Sequence, residues 1–299
     1  MNPLKEHYTV QDIQNALESM NYVSDHSISM SLFLALKLNK PLLIEGEPGS
    51  GKTEIAKVVS KIFETELIRM QCYEGLDSST VIYEWDYLRQ LLKIRLSEKS
   101  KGSVELESEI FSDKYLLKRP LLKSLIHKGS VPPVLLIDEI DRAEEEFEGF
   151  LLEFLAEFQV TIPEIGTIKA KKPPIVIITS NRTRELGDGL RRRCLYLYLD
   201  YPSLEKELKI VNLKTPNIEN ELALQISRFL RKLRQYDDII KKPGISETLD
   251  WSDALLSLKK KELDNKIVME TLGCIIKSPD DINKIDDSRV NDILKSIIS

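Results

Sequence analysis

The sequence predicts an α/β fold, built on a parallel sheet buried on both faces and followed by a small all-α domain. Three observations carry that prediction. The stretch Gly46-Glu47-Pro48-Gly49-Ser50-Gly51-Lys52-Thr53 has the form G-x-x-x-x-G-K-T and lies between the apolar run Pro41-Leu42-Leu43-Ile44 and a helix pattern. Val134-Leu135-Leu136-Ile137 and Ile175-Val176-Ile177-Ile178 are uninterrupted apolar runs ending in polar residues, as expected of strands covered on both faces with ligands at their carboxyl ends. Beyond Pro202, apolar residues recur at three-to-four spacing and no strand pattern is found.

In chain order the glycine-rich stretch comes first. A loop that wraps a polyphosphate must aim several backbone N–H groups inward, and Gly46, Gly49 and Gly51 adopt the necessary angles without a Cβ clash. Gly46, Glu47, Pro48, Gly49, Ser50, Gly51, Lys52, Thr53 and Glu54 form the expected nucleotide-binding segment, for ATP with Mg²⁺. Lys52 would reach the β- and γ-phosphates, and Thr53 would hold Mg²⁺ through its hydroxyl. The helix from about Lys52 to Phe63 would point its positive end at the anion.

The run Val134 to Ile137 ends in Asp138-Glu139, a Walker B pattern. Asp138 is the expected Mg²⁺ ligand, and Glu139 the residue that orients and polarises the attacking water. The next run, Ile175 to Ile178, continues as Thr179-Ser180-Asn181, and Asn181 would donate to the γ-phosphate or hold the water. Arg191-Arg192-Arg193 then precede a strand over Cys194 to Leu199. A fixed cation there would project towards a neighbouring subunit as an arginine finger, Arg193 first and Arg192 second.

This order of motifs resembles the AAA+ ATPases, and within them the MoxR family. The segments that carry the likeness are Leu135-Leu136-Ile137-Asp138-Glu139-Ile140-Asp141-Arg142-Ala143, Phe158 to Glu164, and Thr179 to Leu186, with Leu190 to Tyr196 following. They are similar to a subgroup found beside von Willebrand factor A proteins, which includes accessory ATPases for maturation of molybdenum-containing carbon monoxide dehydrogenases. The resemblance implies a five-stranded sheet of order 5-1-4-3-2, a homo-hexameric ring, and ATP turnover that remodels or inserts metal into a client enzyme. It also implies a partner with a von Willebrand A domain. In the lid, Glu247 stands about where many AAA+ proteins place a sensor 2 arginine, so no sensor 2 residue is assigned; either Arg231 or Arg234 substitutes, or the lid senses nucleotide more weakly.

The chain of 299 residues, 42% hydrophobic, reads as two domains, a nucleotide-binding domain over 1–202 and a helical lid over 203–299. Expected lid helices are Leu204 to Val211, Ile218 to Gln235, Trp251 to Leu256, Leu263 to Ile275 and Ser288 to Ile298. Two insertions break the first domain. About 73–117 carries Tyr83, Trp85 and Tyr87, read either as client contacts or as packed aromatics, and an exposed turn from Ser97 to Ser103. About 160–172 alternates apolar and polar residues around Gly166, a hairpin pattern.

His7, His26 and His127 are scattered without metal-ligand spacing, and Cys72, Cys194 and Cys274 are odd in number and far apart, which suits a reducing compartment. No signal segment or spanning apolar run is found, so a cytoplasmic protein is expected. A net charge of −5 works against general affinity for nucleic acid. Other readings kept open are a nucleotide-gated adaptor without significant turnover, a DNA-associated AAA+ motor, and a small-molecule kinase.

Overall fold

The computed structural model describes residues 8–97 and 103–298. Its main sheet has five strands: β1 Leu42–Gly46, β2 Leu67–Gln71, β3 Val134–Asp138, β4 Ile175–Ser180 and β5 Leu195–Leu199. Their order is β2-β3-β4-β1-β5, the order that the resemblance implies. The pairings β2 with β3, β3 with β4 and β1 with β4 are parallel. Every residue of β1 and β3 is buried, which is why these strands read as unbroken apolar runs. The register aligns Gln71 with Asp138 and Ile137 with Ile178. It therefore brings the polar ends of β2, β3 and β4 to one edge of the sheet, the edge where parallel sheets take ligands.

The described residues divide into two compact units. The first takes in residues from 1–14, 26–45 and 53–197; the second takes in 15–25, 46–52 and 198–299. In the first, Leu43, Leu135, Ile137, Ile178, Leu122 and Phe154 belong to one buried core. Each such side chain contributes about 1.5–3 kcal/mol when fully withdrawn from water. The aromatic part of the first insertion forms a short strand, Tyr83–Trp85, antiparallel to Leu116–Lys118. Trp85 is buried and meets the rings of Tyr83 and Phe111 edge-on. Of the three candidate client contacts, packing has thus taken Trp85 and half-covered Tyr83, and Tyr87 is exposed. The turn expected over Ser97 to Ser103 falls largely on 98–102, outside the described residues, and Ser97 itself is buried. The second insertion is a hairpin, Gln159–Ile162 against Gly166–Lys169.

The second unit is helical from Leu204 onward: Leu204–Lys214, Asn220–Leu233, Ile245–Ser257, Asn265–Ile275, Pro279–Ile282 and Asp287–Ile298. Two of these helix starts have side-chain caps, Ser203 accepting the Lys206 N–H and Asp264 accepting the Ile267 N–H. The helix expected to begin at Trp251 begins at Ile245, because Glu247 in its first turn accepts the Gly244 N–H at 2.8 Å. Trp251 is fully buried beside Phe229, and its indole N–H donates to Thr271 at 2.8 Å. Among the described residues no helix is long and apolar enough to cross a membrane.

A buried ion pair ties this core together. Arg234 Nη1 and Nη2 donate to the two oxygens of Glu207, each at 2.7 Å, and Nε donates to the Pro243 carbonyl. Thr248 also donates to Glu207. Arg234 is therefore spent inside the core of the second unit and is not available to a phosphate; Arg231 is exposed on the same helix. Removing one partner strands a buried charge, which costs about 3–5 kcal/mol. Glu207→Ala is expected to lower stability in denaturant unfolding by that amount, whereas the double replacement Glu207→Met with Arg234→Met recovers most of the loss. A single variant as stable as the wild type would show that the pair is not needed.

Candidate functional site

The glycine-rich loop, residues 46–52, belongs to the second unit. Gly46 admits no side chain: a Cβ there would lie 2.1 Å from the Leu199 carbonyl oxygen. Gly49 has φ +73°, in the left-handed region that glycine tolerates. The loop is built around its own lysine, whose Nζ donates to the Gly46 and Glu47 carbonyls, both at 2.8 Å. Ser50 Oγ is buried without a hydrogen-bond partner among the described residues. A buried orphan hydroxyl, a lysine folded over loop carbonyls and a glycine-lined backbone fit a phosphate chain, which supplies the missing acceptors. Across from the loop, the Ile245 N–H donates to the Gly49 carbonyl at 3.0 Å, and Gly244 lies so close that a Cβ on it would meet the Pro48 oxygen at 2.7 Å. Glu247 holds that turn as a cap. Glu54 pairs with Lys57 one turn further along the helix Lys52–Ile62.

In the first unit, Asp138 is 3% exposed at the end of β3. Its Oδ1 accepts from Thr53 at 3.1 Å and from Thr179 at 2.5 Å. Its Oδ2 accepts from Nε and Nη2 of Arg69 at 3.0 and 2.6 Å. The hydroxyl of Thr53 and the Asp138 carboxylate form an all-oxygen pair of the kind that suits Mg²⁺. Next to it, Glu139 has φ +57°, rare for a residue with a side chain, and is held there by its N–H donating to Thr179 Oγ1 at 2.9 Å. Its carboxylate is gripped at both ends, Oε1 by Asn181 Nδ2 at 3.2 Å and Oε2 by Gln71 Nε2 at 3.1 Å. Arg142 Nε also lies 3.4 Å from Oε2. Sequence reasoning placed Asp138, Glu139, Thr53 and Asn181 here, and these four come together.

Arg69, Gln71, Thr179 and Asp141 were not foreseen. Arg69 and Gln71 are two residues apart on β2, and hence on one face, the only sequence sign of a polar edge in that strand. Asp141 is 3% exposed and accepts from the Asn181 N–H, the Thr183 N–H and the Thr183 hydroxyl. Burial raises its pKa, but these hydrogen bonds outweigh burial and hold it below the usual carboxylate range. Asp141 thus fixes the turn that presents Asn181.

The three arginines differ. Arg191 Nη2 lies 3.2 and 3.3 Å from the two oxygens of Glu45, a residue of β1 only 1% exposed. Tyr196 donates to the same carboxylate at 2.9 Å, and burial followed by that carboxylate pushes its phenol above the ordinary value, keeping it a donor. Arg191 therefore serves as an internal counter-charge. Arg192 makes a long, exposed pair with Asp188 at 3.6 Å, and Arg193 is exposed. Cys72 is buried and Cys194 half-buried; burial pushes both thiols up to about 12, so neither is a thiolate at neutral pH.

Over most of its length the chain is similar to an uncharacterised protein of Staphylococcus haemolyticus, 24% identical over 281 residues, 92% of this chain and 95% of that one. An uncharacterised protein of Staphylococcus aureus is 22% identical over 259 residues, 83% and 90% of the two chains. Among solved structures, a mutant of RuvB from Thermotoga maritima matches with a TM-score of 0.50 and 19% identity, over 96% of this chain and 74% of that one, a likeness of fold. The family model described as AAA domain (dynein-related subfamily) matches residues 41–194, more than half of the chain, from β1 to the last of the three arginines and the residue after it. The chain belongs to the dynein-related subfamily of AAA domains.

Proposed function

We propose that this protein is an ATPase of the MoxR type, active as a homo-hexameric ring, which uses ATP hydrolysis to remodel or mature a client protein complex. The observation that carries the reading is the paired arrangement at the end of β3. Asp138 lies in hydrogen-bond contact with the Thr53 hydroxyl, and Glu139 is held by the Asn181 amide. A bound Mg²⁺ with ATP would supply charge neutralisation on the transferring phosphoryl group. Gly46 to Glu54 bind the phosphates, with Lys52 leaving the Gly46 and Glu47 carbonyls to neutralise them, and Thr53 and Asp138 hold the metal. Glu139 orients the attacking water and accepts its proton, while Asn181 keeps the Glu139 carboxylate turned inward. Arg193, with Arg192 as the second choice, projects from the short helix Asp188–Arg193 to the site of the neighbouring subunit.

The domain division in this reading is a nucleotide-binding domain over 1–202 and a lid over 203–299. The exposed apolar face of the helix Tyr87–Ser97, made by Tyr87, Leu88, Leu91, Leu92 and Leu96, supports a contact role for the first insertion, with the client or the next subunit. A von Willebrand A domain partner and metal or cofactor insertion into a molybdenum hydroxylase complete the proposal, in the cytoplasm, with no role for nucleic acid.

Steady-state ATP hydrolysis measured across protein concentration, with particle size by light scattering in the same samples, tests this directly. Turnover per subunit is expected to rise as rings form. Glu139→Gln should retain ATP and lose turnover by about a hundredfold or more, the usual share of a general base; normal turnover would remove Glu139 from its role, and a wild type that binds ATP without hydrolysing it would point to a nucleotide-gated adaptor.

The trans assignment has its own test. Arg193→Ala should bind ATP yet hydrolyse it about a thousandfold more slowly, the scale of a lost arginine finger. Mixing it with Lys52→Ala should restore part of the activity, because mixed rings contain interfaces with one intact loop and one intact finger. Mixing without rescue would place the arginine's action within its own subunit or nowhere.

A further inference from the structure

Asp138 is all but sealed from water, and a carboxylate in such a place demands a positive partner. That partner is Arg69, which reaches across from the edge strand β2. Two of its nitrogens converge on one oxygen, Oδ2, at 3.0 and 2.6 Å, while the other oxygen is occupied by the Thr53 and Thr179 hydroxyls. The carboxylate is thus engaged at both oxygens by side chains of its own chain.

The same guanidinium has a second attachment. Its Nη2 donates to Gln71 Oε1 at 2.5 Å. Arginine carries donors only, so the amide oxygen must face it and the amide nitrogen must face away. That nitrogen is what grips Glu139 Oε2. One side chain, 54% exposed and free to leave towards solvent, therefore touches the carboxylate assigned to the metal and orients the amide that restrains the carboxylate assigned to the water.

We propose that Arg69 is a placeholder for the metal: it occupies Asp138 in the nucleotide-free protein, withdraws when Mg²⁺ with nucleotide loads, and in withdrawing unlocks Gln71 and so Glu139. Two cations on one buried carboxylate repel each other, so occupancy by one weakens the hold of the other. Apparent metal affinity is then reduced by the fraction of molecules in which Arg69 holds Asp138, and any change that loosens the grip raises it. The proposal rests on the reading of Asp138 as a metal ligand.

The test is Mn²⁺ binding to the full-length chain with a saturating non-hydrolysable ATP analogue, followed by the electron paramagnetic resonance signal of free Mn²⁺. Arg69→Lys keeps the charge but cannot place two nitrogens on Oδ2 or reach Gln71 with a planar fork. It is expected to bind Mn²⁺ about three- to tenfold more tightly than the wild type, with Arg69→Met tighter still. In metal-free buffer Arg69→Met should also melt earlier, and Mn²⁺ with the analogue should return its Tm towards that of the wild type. Wild-type affinity or weaker in Arg69→Lys would overturn the proposal, since tightening in Arg69→Met alone would reflect only a charge removed from the local field. If Arg69→Met does not fold, Arg69→Lys decides alone. Absence of Mn²⁺ uptake by the wild type would instead fail the reading of Asp138, and the proposal with it.

Discussion

The carboxylate of Asp138 at the end of a fully buried strand is the constraint on which the surrounding structure depends. A strand covered on both faces cannot end in a charge unless its neighbours bring donors to the same height. Here β2 brings Arg69 and Gln71, β4 brings Thr179, and the helix after the glycine loop brings Thr53. The parallel register that aligns Gln71 with Asp138 is thereby fixed by more than apolar packing. A slip of one residue on β2 would turn Arg69 and Gln71 to the opposite face and leave both acids of the β3 end without them.

The same rule recurs at three further buried acids, each matched to an arginine within its own unit: Glu45 to Arg191, Glu148 to Arg184, and Glu207 to Arg234. Such pairs contribute little net stability over apolar packing, yet breaking one is costly, so they act as specificity devices for the packing they sit in. They also sort the arginines by role. A guanidinium paired with a buried carboxylate of its own chain can reach another subunit only by breaking that pair. Within the triplet, Arg191 is committed and Arg192 and Arg193 are outward-facing, a distinction that three identical letters in a row cannot convey.

What the sequence made legible was whatever depends on local pattern. Unbroken apolar runs gave the central strands, the G-x-x-x-x-G-K-T spacing gave the loop, and alternation around Gly166 gave the hairpin. Contacts set by strand order were not legible. Arg69 is separated from Asp138 by 69 residues of chain, and only the β2–β3 pairing makes them neighbours. The aromatic stretch around Trp85 was ambiguous for a related reason: burial there depends on Phe111 and on the strand Leu116–Lys118, far along the insertion. The early start of the helix at Ile245 turned on one side chain, Glu247, whose capping bond overrides the weak helix propensity of Gly-Ile-Ser.

Glu247 also changes what contact between loop and lid means in this chain. Its carboxylate cannot neutralise a phosphate, and here it holds the first turn of a helix. Contact with the loop passes to the backbone, through the Ile245 N–H on the Gly49 carbonyl, with Gly244 packed directly on Gly49. A Cβ on Gly244 would collide with backbone atoms of Pro48 and Gly49. A rotation of the Gly49 peptide therefore acts on the helix Ile245–Ser257 without an intermediary.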